Sequence, residues 1–175
     1  RVQGPKGGFG YRKAADSYSL TGVGVLCTYF WKQDRDKVVK SGIEFLLKET
    51  DDHFPVKYKG EKANLYAWYY NTQACLMFGG SAWQKWNRWF QDELVTAQAS
   101  DGSWPPMAAN SHGNLQNGKN MSPAVYRTTL CILMLESFYR HAAPPQVLDD
   151  RVEQFVRHRG ARGQPDHAHP LVPRR

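Results

Sequence analysis

Three stretches of this chain look alike: YSLTGVGVLCTYF, WYYNTQACLMFGG and VYRTTLCILMLESFYR. Set in register on Thr21, Thr72 and Thr128, they recur at separations of 51 and 56 residues. Each Thr opens a run of small and apolar residues of helical length. Each run is followed by a second stretch with apolar residues at steps of three and four. These are Val39, Ile43, Leu46 and Leu47; then Trp83, Trp86, Phe90, Leu94 and Ala97; then Leu148, Val152, Phe155 and Val156, where Arg151 interrupts the face. Such steps place the apolar members on one side of a helix. The unit is therefore a pair of helices, and one pair cannot bury its own apolar face, so the pairs must stack. The expected fold class is all-α, with the more apolar first helix of each pair inside and the second outside. Gly79 and Gly80 are expected to end the middle inner helix, and Ser81 to cap the outer helix after it.

The stretch QASDGSWPP, Gln98 to Pro106, falls where an outer helix ends and the chain turns back inward. Asp101-Gly102 supplies the turn, so Gln98 and Trp104 need another reason. A Gln amide can bond the orphan backbone groups of a helix end, Gly permits a positive φ, and the ring can pack over the junction. Gln3, Gly7 and Phe9 repeat the same offsets near the amino terminus. Residues 1–11 therefore read as the tail of a preceding repeat, and the chain as part of a longer periodic array.

These features carry a resemblance. QASDGSW resembles the QW motif (here Gln98, Asp101, Gly102 and Trp104) of squalene-hopene cyclases and related terpenoid cyclases. GGFGY, LYAWYYNTQACLMFGG, WQKWNRWFQDELVTAQ and YRTTLCILMLESFYR are similar to proteins carrying prenyltransferase and squalene-oxidase repeats. The resemblance implies an α/α toroid of helical hairpin repeats, of which this chain would supply about half a ring over residues 1–157. The Arg/Pro/His-rich residues 158–175 read as a flexible basic tail.

The resemblance does not bring its chemistry with it. Class II terpenoid cyclases protonate an alkene with a DXDD segment, which requires a carboxylic acid held protonated by burial and neighbouring carboxylates. No DXDD occurs in the sequence. Asp34 and Asp36 of QDRD come nearest, but they lie between an inner and an outer helix and read as a solvated turn. The Asp/Cys/His zinc triad of the protein prenyltransferases finds no match either. Cys27, Cys75 and Cys131 sit within inner-helix runs without adjacent His or Asp and read as buried thiols. TDDHF, Thr50 to Phe54, groups acids with a histidine but reads as a polar hairpin loop. His112 lies in a Gly/Asn-rich insertion that reads as a surface loop, with a lid as the alternative. No catalytic residue, metal site or cofactor is therefore assigned.

The remaining candidates are aromatic. In register, Tyr70 matches Tyr126 and Asn71 matches Arg127. If inner-helix starts border a central cavity, Tyr66, Trp68, Tyr70, Asn71, Tyr126 and Arg127 would gather at its rim, where aromatic walls suit cation–π or stacking contacts. The competing reading is helix packing with the hydroxyls bonded to backbone.

Charge narrows the partners. The net +7 comes from the ends, +4 from residues 1–13 and +3 from residues 158–175, while the residues between carry 15 basic and 15 acidic groups. A nucleic-acid footprint needs basic charge clustered on one folded surface, so nucleic acid is not expected. No apolar run is long enough to suggest a membrane span. The expectation is a toroid-type repeat protein that lacks the catalytic acid and binds or scaffolds, taking an apolar or isoprenoid-like small molecule. Self-association, or the remainder of the toroid, would cover the ends of the arc. One alternative is an isoprenoid cyclase or prenyltransferase-type enzyme with its catalytic residues outside this sequence. Another is a glycan-processing helical toroid.

Overall fold

The computed structural model describes residues 2–32, 37–108 and 122–141, and of residues 32 and 138–141 the backbone alone. Arg1–Phe138 forms one compact unit. It contains α1 (Tyr18–Lys32), α2 (Lys37–Asp52), α3 (Leu65–Phe78), α4 (Gly80–Ala97) and the start of α5 (Pro123–His141). No strand occurs among the described residues; isolated bridges join Gln3 to Phe9 and Ala15, and Phe9 to Ser17. The chain is all-α, as the 3.6-residue periodicity requires. Asp34, Asp36, His112, the expected third outer helix from Leu148 to Val156 and the basic tail lie outside the described residues.

The first helix of each pair packs on its own kind. α1 lies against α3 as well as against its hairpin partner α2, and α3 against α4. Glycine makes the α1–α3 approach close: a Cβ on Gly22 would lie 2.7 Å from the Asn71 backbone nitrogen. Gly24 likewise gives its space to the Phe9 ring. α5 joins α3 through the Gln73 amide, which donates to the Ser137 hydroxyl at 2.6 Å. Val39, Ile43 and Leu46 of α2 and Trp86, Phe90 and Leu94 of α4 are buried stripes, as their spacing dictates. They share one core with Val25, Trp68, Cys75, Trp104, Cys131 and Met134. The buried Trp86 indole N–H donates to Thr72 Oγ1 at 2.8 Å, which fixes α4 on α3 without leaving either group unsatisfied.

Two local expectations need correction. Gly79 and Gly80 do end α3, with φ of 72° and 59°, and the Gly79 N–H donates to the Cys75 carbonyl. But Gly79 is also the N-cap of α4, so Ser81 already sits inside the helix, exposed, and caps nothing. The two glycines leave no residue between the helices for a side-chain cap. Cys75 and Cys131 are buried thiols, whereas Cys27 is exposed, on a flank of α1 that borders an open groove among the described residues.

The turn after α4 and the turn near the amino terminus are the same structure. Gln98 Nε2 donates to the Gly102 carbonyl at 2.9 Å, and Gln3 Nε2 to the Gly7 carbonyl at 3.1 Å. The backbone bonds correspond as well. Ala99 N donates to Ser103 O and Gly102 N to Ala99 O; Gly4 N donates to Gly8 O and Gly7 N to Gly4 O. Gly102 has φ of 83° and Gly7 of 100°, a region that glycine enters without steric cost. The aromatic residue then fills the junction. Trp104 is 2% exposed and its indole N–H donates to the Leu94 carbonyl at 2.8 Å, while Phe9 is buried in the equivalent place. Both aromatic residues are then tied to the next helix of the pattern by one bond: Phe9 N donates to Thr21 Oγ1 of α1 and Trp104 N to Thr128 Oγ1 of α5. Gln3 does more than Gln98. It also donates to the Val38 carbonyl and to Ser41 Oγ, tying this turn to the start of α2.

Candidate functional site

The candidate rim residues divide into two groups. Tyr66 and Tyr70 stand one turn apart on the first half of α3, with ring centroids 4.9 Å apart and planes at 61°. Tyr69 meets Tyr70 edge-on at 5.1 Å. Burial raises the pKa of the Tyr126 phenol at the start of α5, and the nearby Tyr66 and Tyr70 raise it further. Burial, then Tyr70, raises Tyr66 in the same way. Tyr66 is exposed, Tyr70 and Tyr126 are half-buried, and the Tyr126 hydroxyl is buried without a hydrogen-bond partner among the described residues. Tyr66, Tyr69 and Tyr70 thus form one aromatic wall on α3, with Tyr126 of α5 nearby.

Trp68, Asn71 and Arg127 go elsewhere. Helical geometry accounts for this: Trp68 lies two residues from both Tyr66 and Tyr70, on a different face of α3. Trp68 is fully buried in the core. Asn71 is also fully buried, with its carbonyl oxygen at the surface of Gly22 and its amide beside the Tyr18 hydroxyl, yet neither polar atom completes a hydrogen bond among the described residues. The Tyr18 hydroxyl meets Thr50 Oγ1 at 3.0 Å instead. Arg127 turns into the Gln98–Trp104 junction, where its Nε–H donates to the Trp104 carbonyl at 3.3 Å.

TDDHF is the end of α2 and the turn that leads from it toward α3. Thr50 is buried, Asp51 and His53 are exposed, Asp51 pairs with Lys85 of α4, and Phe54 stacks on Tyr18 at 4.6 Å. No group of three or more metal-ligating side chains occurs among the described residues.

The middle junction, between α2 and α3, has residues that the motif search missed. It lacks the Gln and turns on Glu93 of α4 instead. Glu93 Oε1 accepts from the Tyr58 backbone N–H at 2.7 Å, and its other oxygen pairs with Lys57 at 3.3 Å. The Tyr58 hydroxyl then donates to the Pro105 carbonyl at 2.7 Å, so this junction is bonded to the next. Asp16 serves the amino-terminal turn similarly, accepting from the N–H groups of Lys6 and Gly8. A carboxylate that reaches back from a helix leaves no fixed sequence offset to find.

What the tyrosine wall can do follows from its protonation. Tyr66 and Tyr126, whose pKa is raised, stay neutral and are weaker acids than free tyrosine, so they offer π faces and hydroxyl donors but no proton for an alkene. Among the described residues no Asp or Glu is buried, and burial is what keeps a carboxylic acid protonated at neutral pH. The arrangement suits contact with an apolar or cationic group. No family model matches the chain, and no curated protein or solved structure matches it either.

Proposed function

We propose that this chain is an arc of an α/α toroid similar to the terpenoid cyclase and prenyltransferase repeat proteins, and that it binds or scaffolds rather than catalyses. The observation that carries the reading is the recurrence of one Gln–Gly–aromatic turn, bond for bond, at the amino terminus and after α4, each followed by an inner helix held through its threonine. Such a unit makes an inner row of helices backed by an outer row. The three tyrosines on α3 are the proposed contact for a ligand, and its class is an apolar or isoprenoid-like small molecule.

The test is titration of the full chain with a long-chain isoprenoid alcohol, followed by intrinsic fluorescence and calorimetry. Saturable binding is expected. Tyr66→Ala and Tyr70→Ala should each weaken it by about two- to tenfold, the range of about 0.5–1.5 kcal/mol per aromatic contact, without changing the helical content. The absence of saturable binding, or binding that ignores both substitutions, refutes the ligand assignment. A cyclised product from the same incubation would overturn the non-catalytic reading.

A further inference from the structure

Among the described residues one flank of α1 borders a largely apolar groove of about 600 Å³, lined by Val2, Gln3, Phe9, Cys27, Thr28, Trp31 and Val38, none of them charged. Trp31 is 88% exposed there. The internal repeat shows how the same flank is treated elsewhere. The register that pairs Thr21 with Thr128 pairs Cys27 with Met134, and Met134 is fully buried in the core that holds Trp86, Phe90, Leu94 and Trp104. Among the described residues the matched position is thus buried on α5 and exposed on α1. The register that pairs Gln3 with Gln98 pairs Val2 with Ala97, the last residue of α4, and Ala97 packs against the core. Val2 therefore stands where an outer helix would end, beside the groove.

We infer that this groove takes an amphipathic helix of the chemistry of α4, bearing bulky aromatic and aliphatic residues at steps of three and four and leading directly into Val2. A second copy of this chain is a poorer occupant, because its own α4 already buries Trp86, Phe90 and Leu94 and would have to leave its core. The inference rests on the repeat reading but not on the tyrosine wall, so the isoprenoid titration succeeds or fails independently of it.

Cys27 supplies the probe, since it is exposed in the groove while Cys75 and Cys131 are buried. A copy of Gly80–Val95 fused ahead of Arg1 in the full chain places its stripe in the register that α4 holds to Gln98. Maleimide labelling, read at peptide level by mass spectrometry, should modify Cys27 readily in the unfused chain. The fusion should slow it by about tenfold or more, because reaction then requires local opening. A control fusion whose copied stripe carries Trp86→Asp, Phe90→Asp and Leu94→Asp should leave Cys27 as reactive as in the unfused chain. Equal labelling of the two fusions, within about twofold on the same scale, overturns the inference. So does protection of Cys27 in the unfused chain that disappears on dilution, which would assign the groove to a second copy.

Discussion

Replacing Trp104 tests the idea that an aromatic residue closes each junction. The side chain is 2% exposed, so Trp104→Ala removes about 200 Å² of buried ring. At about 25 cal/mol per Å² this is about 5 kcal/mol, in line with the about 3–5 kcal/mol typical of Trp-to-Ala changes in cores. Part of the loss is polar. The Gln98 N–H turns to Val95 rather than Leu94, so the indole N–H takes over the Leu94 carbonyl in the last turn of α4. Leaving that acceptor unsatisfied costs about 1–3 kcal/mol. Trp104→Phe separates the two contributions, since it keeps most of the ring and lacks the N–H, as Phe9 does at the equivalent place. Urea unfolding followed by circular dichroism should give a loss of about 3–5 kcal/mol for the alanine variant and about half that for the phenylalanine variant. The melting temperature of the alanine variant should fall by about 10 °C. A loss below about 1 kcal/mol for Trp104→Ala would refute the junction role. Equal losses for the two variants would show that ring burial contributes nothing.

The two glutamines should differ. Gln3→Ala breaks bonds to Gly7, Val38 and Ser41 and should cost about 1–2 kcal/mol, while Gln98→Ala breaks one exposed bond and should cost under about 0.5 kcal/mol, both by urea midpoint. The turn glycines should rank in the same direction. Gly102→Ala meets only the positive-φ penalty of about 1 kcal/mol, since nothing lies within 4 Å of the added carbon, whereas Gly7→Ala also drives that carbon into the Ser41 backbone and should cost about 3 kcal/mol or more. Alkali should destabilise the fold. Burial pushes Tyr18 and Cys131 up to about 12 and raises Cys75 as well, so the folded state keeps protons that the unfolded chain sheds above its ordinary values. Stability should therefore hold below about pH 8 and fall from about pH 9 toward pH 12. A urea midpoint that stays constant from about pH 8 to pH 11 would contradict this.

Periodicity made the helices legible. Val39, Ile43 and Leu46, like Trp86, Phe90 and Leu94, could be buried only on one face, and they are. The repeated turn was legible because Gln, Gly and an aromatic residue keep fixed offsets within a single stretch of backbone. The site was legible only in part. Register placed Tyr70 with Tyr126 and Asn71 with Arg127; Tyr126 lies near Tyr66 and Tyr70, but no ring contact joins it to them among the described residues. Arg127 follows the Trp104 carbonyl instead, a choice set by a junction 23 residues earlier in the chain. Glu93 escaped notice because its bond to Tyr58 spans 35 residues and leaves no local pattern. Cys27 was misplaced because helical pattern ranks faces by composition, while exposure also depends on whether a neighbouring helix is there to cover them.

The paired bonds from Phe9 to Thr21 and from Trp104 to Thr128 close spans of quite different length. The second span, 24 residues, is twice the first, yet it ends on the same hydroxyl. Doubling a flexible loop adds only about 0.6 kcal/mol of closure entropy, which one hydrogen bond at its base offsets. The scaffold thus closes the same bond over a span of 12 residues or of 24. Lengthening the peptide between aromatic and threonine should therefore cost little, as long as the bond at its base is kept.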